Sequence, residues 1–360
     1  MIKKRFYNII FLMTLLLVLT SCGQKETIDT DKYIENDTTV EVSREEYIKD
    51  PDKFQCVWES DFDVPDWMTD YEEKQAAFRD TDGRIMSAIH KADSVYYPEN
   101  SIEAIISAVK MGADIIEMDL CLTKDDVLVL MHSTILTSTT DWASKRGNSG
   151  LPLSEKIEDW TYEELCNLNL CMADGTETDY KIPTFEEALQ VCKGRTKIIL
   201  DKDAKWNWNK NVYPLIQKYE AWDTCIIPRT YDFERQAEIV QVIEQESDVT
   251  DVWGFAMLSK SGAANWESDV QTWKHTELNI IGYWAAKSVL KIDVDTIDNY
   301  LKEIAGEIRI LGQSHASGGG IESPEQWDYM HENGINIVLV DDDGLSLQKY
   351  IAENYEPTDY

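Results

Sequence analysis

Four residues between positions 90 and 132 have the types and spacing for metal-assisted acid/base chemistry: His90, Glu117, Asp119 and His132. Glu117 and Asp119 flank Met118, and in a strand period-two geometry turns such a pair to one face. Oxygen-only donors of this kind suit a hard divalent cation, Ca²⁺ or Mg²⁺. His90 and His132 each close an apolar strand-like run, so two imidazoles bracket the carboxylates as an acid/base pair. Singly each signal is weak, because a strand-end histidine is commonly structural and an E-x-D pair in an acidic chain usually faces solvent. Their shared position at the ends of successive runs is what joins them.

These side chains need a scaffold that delivers several strand ends to one place. From about residue 84 onward, short apolar runs alternate with helical patterns. Strands are expected at 85–89, 114–120, 127–131, 197–200, 224–227, 252–257, 279–283, 308–311 and 336–340. Residues 99–111 repeat Ile102, Ile105, Ile106 and Val109 at helical spacing before Gly112 as a C-cap. A second helix, 185–191, is opened by Pro183-Thr184, and a last one is expected near 345–353. Sustained βα alternation favours an α/β class chain folded as a closed parallel TIM (β/α)8 barrel, with active residues at its C-terminal face. A doubly wound open sheet is weakened by the lack of G-x-G-x-x-G after a strand.

The stretch from His90 to His132 resembles the glycerophosphodiester phosphodiesterase family. The resemblance rests on Ala88-Ile89-His90-Lys91, Pro98-Glu99-Asn100-Ser101, Gly112 through Asp119, Leu122-Thr123-Lys124-Asp125 and Val129 through His132. The gaps also match: 27 residues from His90 to Glu117, 2 to Asp119 and 13 to His132. Farther on, Ile182 through Leu189 resembles the family's I-P-T-L-E-E-A-L, and Ile198 through Lys202 its third acidic strand. The resemblance implies a metal-dependent hydrolase that releases glycerol 3-phosphate and an alcohol from a small glycerophosphodiester. By position His90 and His132 would be acid and base, Glu117, Asp119 and Asp201 the cation ligands, and Glu99 a lining residue. The glycerol 2-hydroxyl would attack phosphorus, and water would then open the cyclic phosphate. The 82-residue step from Asp119 to Asp201 leaves room for a small inserted segment, about 133–180, after the second or third strand.

Departures from that pattern keep alternatives open. The family's H-R reads His90-Lys91, which keeps a charge for phosphate but loses the bidentate fork. Its H-D reads His132-Ser133, and Asp203 follows Asp201 on the same strand face, so either aspartate is a candidate third ligand. The late T-D-R-P is replaced by Val340-Asp341-Asp342-Asp343-Gly344. A catalytically impaired barrel that binds phosphodiesters and a sphingomyelinase D-like phospholipid lyase are the alternatives. Arg229 is an additional candidate for phosphate, Gly318-Gly319-Gly320 reads as a loop rather than a phosphate cradle, and Trp206, Trp208, Trp253, Trp273 and Trp284 are candidates to line a pocket.

Location is written in the first 22 residues. Lys3-Lys4-Arg5 precedes an apolar stretch too short to span a bilayer, which ends in Leu19-Thr20-Ser21-Cys22-Gly23. That ending resembles a bacterial lipobox, so lipidation at Cys22 and a membrane anchor at the cell envelope are expected, either at the outer membrane or on the periplasmic or extracellular face. The expected organisation is a leader at 1–22, an acidic tether at 23–56, an N-terminal extension packing as a cap at 57–83 and the barrel at 84–355. The other six cysteines fit no zinc spacing and are expected as small buried hydrophobes. A net charge of −33, from 67 acidic against 34 basic residues, excludes nucleic acid as a partner held by a basic surface.

Overall fold

Alternation along the strands sorts the apolar residues into two layers. The computed structural model describes residues 42–147, 150–201, 208–226, 253–257, 279–284, 309–313, 322–341 and 344–358. Its strands are β1 (Met86–His90), β2 (Ile115–Leu122), β3 (Leu128–Leu130), β4 (Lys197–Asp201), β5 (Cys225–Ile226), β6 (Trp253–Met257), β7 (Asn279–Trp284), β8 (Arg309–Gln313) and β9 (Ile337–Val340). Eight of them form a parallel path in the order β5-β4-β2-β1-β9-β8-β7-β6, with β3 attached to β2. The path curls until its end strands β5 and β6 approach each other, giving a TIM-barrel-like sheet. Met86, Ala88, Ile115, Ile199, Ile337 and Leu339 pack together inside. Ile89, Ile116, Met118, Ile198, Leu200, Val338 and Val340 face the helices.

The helices around this sheet begin where local chemistry starts them. Ser101 accepts from the Ala104 N–H to cap the helix Ile102–Lys110, and Gly112 follows it at φ +91°. A Cβ at Gly112 would stand 2.9 Å from the Met68 Cβ, so both backbone angle and space require glycine. Thr184 and Glu187 form a capping box on the helix Phe185–Cys192.

One expected barrel strand is not one. β3 runs antiparallel to β2 with Leu120 opposite Leu130 and Leu122 opposite Leu128. Only five residues separate the two strands, and a parallel crossover needs a dozen or more, so this link can only be a hairpin. The intervening turn places Asp126 at φ +64° and closes with Thr123 N–H on the Val127 carbonyl at 3.0 Å.

The stretch expected as tether also differs from its reading, since it is folded from Arg44 onward. A helix Arg44–Lys49 starts on a Ser43/Glu46 capping box. Arg44 pairs with Glu187 at 3.3 Å, and the Tyr47 hydroxyl donates to Glu103. Ile48 is this helix's one buried residue, too little apolar content to leave a periodic signal. Of the six cysteines expected to be buried, Cys56, Cys121, Cys192 and Cys225 are, whereas Cys166 is exposed and Cys171 half-buried. Cys166 terminates a one-turn helix and Cys171 sits in a short bridge with Glu177, where little packs over a side chain. All six are free thiols.

The N-terminal end of the barrel is stopped by the helix Tyr71–Arg79, whose Phe78 joins the inner apolar cluster. Arg309, which opens β8, donates to the carbonyls of Ala77, Phe78 and Asp80. Beside it the buried Arg84 pairs with Glu73 at 2.8 Å and Asp114 at 2.7 Å. Burial alone would raise the Asp114 carboxyl, but the Arg84 guanidinium holds it below the usual range. Removing one partner strands the others. Arg84→Ala is expected to cost about 3–5 kcal/mol, read as a lower urea midpoint at unchanged slope; a cost under about 1 kcal/mol would show the network to be dispensable.

Candidate active site

The parity that fills the lower barrel with apolar residues delivers polar ones at its C-terminal mouth. Along β1 the inward positions run Met86, Ala88, His90; along β2 they run Ile115, Glu117, Asp119. On β4 Ile199 is followed inward by Asp201, and past β9 Leu339 is followed by Asp341. Ladder register puts His90 beside Glu117 and Asp119 beside Asp201. Four chain segments thus converge because each strand keeps the same alternation for one further step.

Glu117, Asp119 and Asp201 each offer an oxygen within 4.8 Å of the others. Glu117 and Asp119 are 5% and 1% exposed. Burial, with Asp119 and Asp201 adding repulsion, pushes the Glu117 carboxyl up to about 8. Three carboxylates so close in a poorly solvated place repel unless a positive charge joins them. An all-oxygen donor set of this type fits a hard divalent cation. Asp203 lies outside the described residues.

His90 is held from both sides. Its Nδ1 bonds the Asp341 carboxylate, while Nε2 stands 3.7 Å from a Glu117 oxygen. Burial works against the imidazolium, but the Asp341 bond and the Glu117 charge outweigh it and raise the histidine above its ordinary value. Asp341 is itself tied down: its N–H donates to Glu322 at 2.7 Å, and its carbonyl accepts from Ser94.

The chain arrives at His132 by a route different from the one expected. The β2–β3 hairpin turns the chain back, and the Met131 N–H donates to the Asp119 carbonyl at 3.0 Å. His132, half-buried, follows immediately. The neighbouring Ser133, where the family pattern has aspartate, uses its hydroxyl to accept from the Ile135 N–H at 3.1 Å. Beyond it, Leu136, Trp142, Trp160, Leu165 and Ile182 form a small core together with Cys121, Val129 and Met131 of the hairpin.

Lys91 and Glu99 are brought together: the ammonium donates to a Glu99 oxygen at 3.1 Å. The Lys91 backbone N–H donates to Glu117 at 3.2 Å. Arg229, Cys22, Gly318-Gly319-Gly320, Trp206 and Trp273 lie outside the described residues, as do the side chains of Trp208 and Trp284; Trp253 packs against Phe78 in the lower barrel, away from the mouth.

Two residues of this site have no role assigned from the sequence. Asp341 was visible only as a departure from a motif, although continuing the 337, 339, 341 parity would have pointed it inward. Asn100, within Pro98-Glu99-Asn100-Ser101, bonds Asp119 through its side chain.

Comparison with known proteins converges on one family. The model of the glycerophosphoryl diester phosphodiesterase family matches residues 90–344. Glycerophosphodiester phosphodiesterase 1 of Homo sapiens is 33% identical over 112 residues, which is 30% of each chain. A glycerophosphodiester phosphodiesterase of Bacillus subtilis is 33% identical over 109 residues, 29% of this chain and 36% of that protein. The chain therefore matches only about a third of the length of these relatives. Among solved structures, a glycerophosphoryl diester phosphodiesterase from Parabacteroides distasonis superposes with a TM-score of 0.58 at 22% identity. That match covers 79% of this chain and 93% of the other, and it speaks to the fold.

Proposed function

Because the chain belongs to the glycerophosphoryl diester phosphodiesterase family, we propose that it hydrolyses glycerophosphodiesters to glycerol 3-phosphate and an alcohol, with a divalent cation. The observation that carries this reading is the carboxylate triad, with Glu117 and Asp119 buried and Asp201 half-buried, next to an imidazole fixed by Asp341. Glu117, Asp119 and Asp201 are the proposed cation ligands. A divalent cation at that place supplies charge neutralisation for a phosphate and a fixed point for glycerol hydroxyls. His90 and His132 take the acid and base roles on opposite sides of the scissile phosphodiester. Lys91, steadied by Glu99, contributes positive charge for the phosphate, and Arg229 is proposed as a second phosphate contact. Residues 133–180 are proposed to recognise the glycerol end.

The test is product analysis on glycerophosphocholine, glycerophosphoethanolamine and glycerophosphoglycerol. Chelator-stripped protein is expected to release glycerol 3-phosphate only after Ca²⁺ or Mg²⁺ is restored. Full turnover in EDTA would overturn the cation ligands. Accumulation of a cyclic phosphate as the end product would favour the lyase reading.

We also propose that Cys22 is lipidated and tethers the protein to the cell envelope; among the described residues no helix is long and apolar enough to cross a membrane. Cys22→Ala should move the exported protein from the membrane pellet to the soluble fraction. A mutant that stays in the pellet would defeat the anchor.

A further inference from the structure

The loop between β1 and the helix Ile102–Lys110 has no residue in direct register with the carboxylates, yet it touches two of them. At one end the Lys91 N–H reaches Glu117. At the other the Asn100 side chain closes a two-bond ring on Asp119: Nδ2 donates to the Asp119 carboxylate at 3.0 Å, and Oδ1 accepts from the Asp119 backbone N–H at 3.1 Å. The second bond fixes which way the amide faces, since only an oxygen can accept from a backbone N–H. The two ends are also joined to each other, because the Asn100 N–H donates to the Lys91 carbonyl at 2.9 Å.

This arrangement is held in unusual backbone. Lys91, Ala92 and Asn100 have φ of +56°, +64° and +59°, a region that non-glycine residues enter at a cost and that asparagine tolerates better than most. Such geometry persists only where its surroundings enforce it. Here Asp93 accepts from Ser107, and Ser107 accepts from the Trp58 indole at 2.7 Å. The Tyr97 hydroxyl takes the Val57 N–H at 3.1 Å. Asn100 is 1% exposed, so its amide is committed to Asp119 rather than to water.

We propose that Asn100 is a positioning residue that holds Asp119 in its cation-ligating orientation, with the loop 91–100 acting as a clamp across Glu117 and Asp119. The inference rests on the reading that Glu117, Asp119 and Asp201 ligate a divalent cation. An unclamped aspartate at the end of a strand samples several rotamers, and a cation must then order it on binding. The amide does this in advance, so its loss shows first in cation affinity.

Asn100→Gly separates the two functions of this residue, because glycine keeps the left-handed backbone and deletes the amide. Asn100→Ala deletes the amide and adds backbone strain. Calorimetric titration of Ca²⁺ or Mg²⁺ into chelator-stripped full-length protein should show dissociation constants raised roughly 10–100-fold in both variants. Their melting temperatures in EDTA should differ from each other, with alanine the lower. If affinity instead follows melting temperature across wild type, Gly and Ala variants, Asn100 is a structural residue and the proposal falls. Unchanged affinity in Asn100→Gly also overturns it. Absence of cation binding in the wild type would defeat the ligand reading itself, and so is distinguishable from either result.

Discussion

Replacing His90 or His132 with alanine is expected to lower kcat by roughly 10²–10⁴-fold, the usual range for removing a general acid or base. His90 lies 3.7 Å from Glu117, so the variants must be assayed at saturating cation, with cation affinity and melting temperature measured alongside. A structural role predicts lost fold or lost cation; a catalytic one predicts lost turnover in a folded, loaded protein. In the proposed mechanism one histidine protonates the departing alkoxide, whereas a nitrophenolate leaves without that help. A nitrophenyl ester of glycerol phosphate should therefore rescue one variant and not the other. Asp341→Ala should reduce kcat less than His90→Ala, because it frees the imidazole to rotate without removing it. Equal turnover in wild type and both histidine variants would remove the catalytic assignment.

How much of this site could be read beforehand follows from how local each interaction is. The E-x-D pair and His90 were legible because their positions depend on strand parity and a strand end, both visible within ten residues. His132 follows a hairpin strand rather than a barrel strand of its own. The five residues Thr123 to Val127 cannot hold a crossover helix, so 128–130 pairs back on β2 instead of entering the barrel. The hairpin returns the backbone to Asp119, where the Met131 N–H meets its carbonyl. Asp341 and His90 are 251 residues apart, and nothing local to either one reveals the other until β1 and β9 are known to be neighbours. The Asn100–Asp119 ring has the same character, since it needs the register of one loop against one strand. The segment 44–56 carries no readable period because its apolar contacts come from scattered residues, Tyr47, Ile48, Phe54 and Cys56, fastened by Arg44 on Glu187 and by Lys110 on the Phe54 carbonyl.

The carboxylate triad makes an opposed pair of predictions for stability and function. Glu117 has its folded-state carboxyl raised to about 8 by burial and by the charges of Asp119 and Asp201, against about 4.3 in an unfolded chain. Between those values the folded, cation-free protein binds a proton that the unfolded chain has released, so stability falls as pH rises through the window. The penalty is absent below the unfolded value and complete above about 8, where it amounts to several kcal/mol. A bound cation removes it by pairing the charge. In EDTA the melting temperature should therefore drop from pH 5 to pH 8.5, whereas saturating Ca²⁺ or Mg²⁺ should flatten the curve, so the gap between them widens with pH. Glu117→Gln supplies the control for the general repulsion of a chain with net charge −33. In EDTA at pH 8.5 it should melt above the wild type, yet it should lose most of the response to cation and most of the turnover. A gap independent of pH, or a Glu117→Gln protein less stable than wild type in EDTA, would mean that the buried carboxylate is not held against its own charge.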